Sequence, residues 1–272
     1  MSRFRWKDRL ASAMQTVTLP IPELTDARYF DVAHVLEQLE AKEAVQFPPF
    51  EVVHLSRHGL SFCLNMLRDP IQNALRKGDF YERRDLDALQ DHVKTGAHII
   101  DIGANIGNHA LYFAQVLQAQ RVVVIEPNPL ALAPLVANVV INNLQETIDL
   151  SALGVGLGAA AAGGYGMKRH DRNLGATKMK TGQGTLMVMA GDDLFGDETP
   201  DLIKIDVEGM ELKVLAGLAQ TIARTAPLIF IEVNSANEAG FAAWKTTAGY
   251  NDVFVRRLDD NCCNYLISPE TT

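Results

Sequence analysis

From residue 97 onward, short apolar strands alternate with helical segments of about 10–15 residues, which predicts an α/β fold on a mostly parallel sheet with helices on both faces. Three observations carry this prediction. AHIIDIG, RVVVIEP, DLIKIDVEG and PLIFIEV are apolar runs of the kind buried on both sides. Each is followed by a segment with helical spacing. The first three end in a glycine or a proline, where a chain leaves a strand, and the fourth carries Glu232 one residue before its end. Crossovers between parallel strands are nearly always right-handed, so the strand ends gather on one rim.

The elements follow in chain order. Residues 1–19 predict an amphipathic helix, with Trp6, Leu10, Ala13, Met14 and Val17 on one face and Arg3, Arg5, Lys7 and Arg9 mainly off it. That face suits packing on the body, a homodimer contact or an anionic membrane surface. Pro20 and Pro22 break the chain, and Tyr29, Val32, Leu36 and Leu39 mark a second helix before Pro48-Pro49. FEVVHL and LSFCLNML predict a hairpin turning at Ser56 to Gly59. Helices over about 70–77 and 84–94 precede Gly96, a natural helix stop.

The core then runs strand AHIIDIG, helix NHALYFAQVLQ, strand RVVVIEP, helix LALAPLVANVVINN with Pro134 as a kink, and strand TIDLSALG. Residues 154–184 are rich in glycine and predict an irregular β-excursion, with TLMVMAG as an edge strand. Strand DLIKIDVEG, helix MELKVLAGLAQTIA, strand PLIFIEV, helix EAGFAAWKTTA and strands NDVFVRRL and CCNYLI complete seven sheet strands. The expected organisation is an N-terminal helical extension (1–50), a hairpin-and-helix cap (51–96) and an α/β domain (97–272).

Composition narrows the function. The 272 residues carry 25 Lys and Arg against 33 Asp and Glu, a formal charge of −8. A chain this acidic, with no long basic run, gains little from counterion release, so no nucleic-acid partner is expected. Three cysteines, two of them the neighbours Cys262 and Cys263, make no disulfide framework and suit a reducing compartment. No apolar run reaches the ~18–20 residues of a membrane span. No apolar stretch of a secretory signal follows the basic N-terminus, so a cytoplasmic protein is expected.

The strongest chemical signal is Asp101-Ile102-Gly103-Ala104-Asn105-Ile106-Gly107, where a strand turns into a helix. Gly103 and Gly107 lack a β-carbon, so a ligand can approach the backbone, and helix N-terminal amides attract a negative group. The dinucleotide fingerprint is broken by Asn105, and Asp101 would repel a pyrophosphate. S-adenosylmethionine carries an ammonium, a sulfonium and no phosphate, and an acid at Asp101 suits it. Glu126 ends the next strand, where an acid accepts hydrogen bonds from two ribose hydroxyls, and Pro127, Asn128 and Pro129 fix the turn. Asp206 and Glu208 end the fourth core strand near the point where strand order reverses, and Glu232 and Asn234 end the fifth. Glu208 also suits a helix cap.

In this order DIGANIG, VIEPNP, ANVVINNL, SALG, DLIKIDVEGMELKVLAG and PLIFIEVN resemble the FkbM-type S-adenosylmethionine-dependent methyltransferases, with GDFYE, RNLGAT and NYLISP as further pieces over about residues 57–269. The resemblance implies the Rossmann-like class I methyltransferase fold, with one antiparallel strand near an edge. It implies O-methylation of a sugar, glycoconjugate or polyketide-like hydroxyl, with S-adenosylhomocysteine as product. It places Asp101, Gly103, Ala104, Asn105, Gly107 and Asn108 around the methionine part of the cofactor. Glu126 with Pro127 falls on the ribose, Asn128 near the adenosine, and Ala152 and Leu153 beside the adenine. Asp206 falls by the sulfonium and the acceptor, with Phe80, Tyr81 and Glu82 as a lid.

Transfer to a hydroxyl needs a base within hydrogen-bond reach, and Asp206, Glu208, Glu232 and His170 are the candidates. Asn173 and Asn234 are the candidate substrate contacts. A divalent metal on Asp206, Glu232 and Asn234 is conceivable. Sequence spacing does not establish it, and no metal is expected. N- or C-methylation uses the same cofactor site, and a nicotinamide oxidoreductase or a non-catalytic binding module are the more distant alternatives.

Overall fold

The computed structural model describes residues 30–168, 172–182 and 184–270. The helix expected over residues 1–19 and the candidate base His170 lie outside them. The first described helix, α1 (Val32–Glu40), begins where the Asp31 side chain accepts from the His34 N–H, and Val35 is its buried residue. Strands β1 (Glu51–Leu55) and β2 (Leu60–Leu64) form the expected hairpin. Helices α2 (Pro70–Arg76) and α3 (Arg83–Leu89) follow, α3 shorter than the predicted 84–94.

The central sheet takes β3 (His98–Ile102), β4 (Arg121–Ile125), β5 (Ile148–Asp149), β10 (Leu202–Ile205), β11 (Leu228–Asn234), β12 (Tyr250–Arg257) and β13 (Cys262–Pro269), in the order β12-β13-β11-β10-β3-β4-β5. Only β13 runs against its neighbours, one place in from the edge. These are the seven strands the sequence predicts, though TIDLSALG contributes a strand of two residues. Strand order reverses between β3 and β10, which opens a crevice above their carboxyl ends.

Helices α4 (Asn108–Gln115) and α5 (Pro129–Ile141) link the first three strands, and α5 continues through Pro134. It is buried along nearly its whole length, because β2 covers its outer side. Two asparagines make that cover possible. Asn138 accepts from the Cys63 N–H at 2.5 Å and donates to the Ile106 carbonyl at 2.7 Å. Asn142 bonds both the N–H and the C=O of Ser61. The hairpin's polar backbone is thus paired where it meets an apolar helix.

The glycine-rich excursion is a sheet of its own rather than an edge of the main one. Strands β6 (Val155–Gly158), β7 (Ala162–Lys168), β8 (Lys178–Thr181) and β9 (Leu186–Ala190) pair in the order β6-β9-β7-β8, with β9 supplied by TLMVMAG. Helix α6 (Gly191–Phe195) leads back to the core, and the predicted helix MELKVLAGLAQTIA divides at Leu218 into α7 (Glu211–Gly217) and α8 (Ala219–Thr225). The α9 helix (Glu238–Ala248) precedes the last two strands. Among the described residues, no helix is long and apolar enough to cross a membrane.

Candidate functional site

A trough runs across the carboxyl ends of β3, β4, β10 and β11. Its two halves span about 540 and about 520 Å³ of space, open solvent included. They share Gly103, Asn105, Gly175, Asp206 and Glu208 as a common wall.

The first half lies over β4. Glu126 is buried there, and each of its oxygens accepts one backbone N–H, from Asn105 at 2.7 Å and from Asn128 at 2.6 Å. The sequence dictates this locally. Asn128 caps α5 by accepting from the Leu130 N–H, and Pro129 opens the helix, so the turn after β4 is rigid. Burial pushes the Glu126 carboxyl up to about 7, against the two backbone donors that favour its charge. Met167 from β7 and Met179 from β8 close this half from above, so the second sheet is its roof.

Asn105 stands in the left-handed region (φ 51°), which asparagine tolerates better than most residues. Its Oδ1 is buried with no hydrogen-bond partner. Gly103 is needed for a different reason from the one the sequence suggests. A β-carbon added there would fall 1.9 Å from the Asp206 carbonyl oxygen, so the glycine lets the β3 and β10 loops pack together. At Gly107 an added β-carbon would meet the Leu135 side chain at 2.7 Å, again a packing constraint.

The second half is lined by acids. Tyr81, Glu82, Asn108 and His109 line it together with Asp206, Glu208 and Glu232. Glu82 accepts from Asn264 at 3.3 Å, and burial together with the Asp206 carboxylate raises its carboxyl to about 7. Glu208 rises to about 7 by burial and the same neighbour. Glu232 rises to about 9 by burial, Asp206, Glu82 and Glu208. Among the described residues, Glu232 has neither a hydrogen-bond nor an ion-pair partner.

The cation of this half is Lys204, which the sequence reading missed. Its ammonium donates to the Gly103 carbonyl at 2.8 Å and lies 3.1 Å from Asp101 and 3.6 Å from Asp206. Burial opposes its charge, but Asp101 and Asp206 outweigh burial and hold it above its ordinary value. A lysine inside the apolar strand LIKI was the signal, because a fully buried lysine needs a partner.

The sequence-predicted residues divide accordingly. Gly103, Ala104, Asn105, Asn108, Glu126, Pro127, Asn128, Tyr81, Glu82, Asp206, Glu208, Glu232 and Asn173 line the trough. Asn173 gets there because the Leu174 N–H donates to Asp69, the cap of α2. Asp101 lines neither half. It is fully buried beneath the floor and faces Lys204. Phe80 is buried edge-on against Phe62 and Tyr112, a lid anchor rather than a lining residue. Gly107, Ala152 and Leu153 also stay out of the lining, and Leu153 bridges the Glu126 backbone. Asn234 turns away to cap a short 3-10 helix, accepting from Ala236 at 3.2 Å.

A family model, the methyltransferase FkbM domain, matches residues 101–262, more than half of the chain. No curated protein matches it. Among solved structures, methyltransferase FkbM from Methylobacillus flagellatus KT is 22% identical with a TM-score of 0.45, over 62% of this chain and 43% of that one. This chain therefore spans under half of that protein's length. The M. jannaschii tRNA m1G37 methyltransferase is 9% identical with a TM-score of 0.48, over 82% of this chain and 55% of that one. Sp1610 of Streptococcus pneumoniae, solved in complex with S-adenosyl-L-methionine, is 15% identical with a TM-score of 0.45, over 70% and 74%.

Proposed function

We infer function from the premise that the chain belongs to the FkbM methyltransferase family. We propose that it binds S-adenosylmethionine along the trough and transfers the methyl group to a hydroxyl of a sugar, glycoconjugate or polyketide-like acceptor. The observation that carries this reading is Glu126. Two backbone N–H groups fix its buried carboxylate and leave lone pairs for a neighbouring diol, as a ribose requires. The unpartnered Asn105 Oδ1 fits the same ligand, since it calls for a donor in the wall between the halves. Five carboxylates against one lysine suit a ligand bearing sulfonium and ammonium cations, and disfavour a dinucleotide pyrophosphate.

When bound, S-adenosylmethionine supplies an activated methyl group and leaves as S-adenosylhomocysteine. The chain's residues do the rest. Glu126 holds the ribose, with Asn128 fixing the turn beside it. Tyr81, Glu82, Ala104 and Asn108 surround the amino-acid end, where the Glu82 carboxylate suits an ammonium. Asp101 acts through Lys204, which fixes the Gly103 carbonyl and faces Asp206. Asp206 orients the acceptor at the shared wall, and Asn173 offers it a hydrogen bond. Glu232 or Glu208 receives the acceptor's proton. A Glu208 carboxyl raised to about 7 is half ionised near neutrality and accepts a proton more readily than an ordinary one, whereas Glu232, raised to about 9, serves only once a cation beside it has released its own proton.

Calorimetry of the purified chain with S-adenosylmethionine and, separately, NADH tests the cofactor. Saturable binding of S-adenosylmethionine alone is expected, and NADH binding alone overturns the reading. A methyl-transfer panel of sugar, polyketide, amine and tRNA acceptors then tests the substrate class. Methylation confined to amines or to tRNA overturns the hydroxyl assignment.

A further inference from the structure

Asp206, Glu208 and Glu232 each bring one carboxylate oxygen within 4.8 Å of the other two. Oxygens that share one hard divalent cation at about 2.0–2.6 Å stand about 3–5 Å apart, so this spacing matches a common ion. Nearby positive charge is already engaged. Lys204 lies 3.6 Å from Asp206 but 3.1 Å from Asp101 and 2.8 Å from the Gly103 carbonyl. Lys178 reaches Glu208 only at 3.7 Å, from a half-exposed position. Glu232 has no partner among the described residues.

A second, independent observation comes from His109, which lines the same cavity. Its side chain is 7% exposed, and its Nε2 is buried with no hydrogen-bond partner. Its other nitrogen bonds the Tyr81 backbone, while burial and Lys204 keep the ring neutral. The Nε2 lone pair therefore calls for a donor from the cavity. Glu82 Oε2, 3.4 Å away, is a donor only when protonated, and a divalent cation in the cavity favours its ionised form, which offers none. Water on a divalent cation is a strong donor, and a buried side chain aimed at it is a common outer partner of a metal site.

We infer that Asp206, Glu208 and Glu232 hold one hard divalent cation, Mg²⁺ or Mn²⁺, and that His109 Nε2 accepts from a water bound to it. The site differs from the set the sequence suggests: Glu208 replaces Asn234, which is turned away to cap a helix. Binding of the ion stands apart from the methyltransferase reading. Only its service to an acceptor hydroxyl rests on that reading, and there the ion takes over from Glu208 and Glu232 as base: carboxylates that hold it no longer receive the proton, and the ion lowers the hydroxyl's own pKa instead.

The test titrates the full-length chain, stripped with EDTA and dialysed, with MnCl₂ while free Mn²⁺ is followed by electron paramagnetic resonance. Binding of S-adenosylmethionine is measured in parallel by calorimetry. One Mn²⁺ per chain is expected, displaceable by Mg²⁺ and weakened at least about tenfold in both Glu232→Gln and Glu208→Gln. His109→Gln should weaken it by a smaller factor. Thermal melts of each variant confirm that the fold is retained. No saturable Mn²⁺ binding, or binding unchanged in both glutamine variants, overturns the proposal. Cofactor binding without Mn²⁺ binding, together with a preference for amine-bearing acceptors, reassigns the cluster to a cationic substrate. Mn²⁺ binding without any S-adenosylmethionine binding supports the ion site and overturns the methyltransferase reading instead.

Discussion

In the half of the trough over β4, Glu126 gives one oxygen to each of two backbone N–H groups, whereas in the half over β10 and β11 Glu232 has no partner among the described residues. Glu126 is buried and Glu232 half-buried, and burial pushes both up, to about 7 and about 9. The difference lies in what the fold supplies. Around Glu126 the chain has completed the site with rigid turn amides, so it is preorganised for a neutral diol. Around Glu232 it has gathered further carboxylates and left the compensating charge to come from outside. A half built this way favours ligands that bring positive charge.

The sharpest way to break this comparison is at the floor of the trough. Lys204→Met leaves the fully buried Asp101 without its counter-charge and should cost about 3–5 kcal/mol of stability, read from denaturant midpoints. Unchanged stability would mean that the ion pair does not hold the floor together.

Glu126→Ala tests the preorganised half. It removes the diol acceptor and strands two backbone donors, and should weaken S-adenosylmethionine about 100-fold, or ~2–3 kcal/mol. An affinity within about threefold of the parent places the ribose elsewhere.

The open half is probed by pH. Glu82, Glu208 and Glu232 have folded-state values raised above the ordinary carboxylate range, so the folded chain holds protons that the unfolded chain has released. Stability without ligands should therefore fall as pH rises from about 4.5 through 7, and on towards 9 for Glu232. Glu232→Gln should flatten that fall by on the order of 1 kcal/mol between pH 5 and pH 8, measured as melting temperature against pH. An unaltered slope would remove Glu232 from the repelling group.

The smallest effect is expected at Asn234→Ala. Loss of a side-chain cap costs about 0.5–1 kcal/mol, and neither cofactor nor Mn²⁺ affinity should move. A clear change in either would return Asn234 to the site.

Much of the trough is legible in the chain because parallel strands deliver their carboxyl ends to one rim. Once DIGANIG, VIEP, KIDVEG and IEVN are read as strand ends, Asn105, Glu126, Asp206, Glu208 and Glu232 must come near one another. The direction of a side chain at such an end is less legible. Asp101 and Asn105 lie in one motif, yet one points beneath the floor to Lys204 and the other into the wall. Asn234 follows Glu232 by two residues and is captured by a local turn that competes for its amide. The 154–190 segment carries too many glycines for a clear two-residue alternation, so its separate sheet and the methionine roof show only in three dimensions.

The sequence by itself determined the strand–helix alternation, the seven-stranded sheet, the acid-bearing rim and the family. Those features follow from local periodicity and from residues at strand ends, which depend little on distant partners. Only the tertiary structure decided that Asp101 answers Lys204, that Gly103 serves the packing of two loops, that Asn138 and Asn142 bind the hairpin to α5, and that His109 lines one cavity with three carboxylates. Each of these joins residues far apart in the chain. Burial makes an unpaired charge or amide costly there, and the partner that relieves it is chosen by packing rather than by neighbours in sequence.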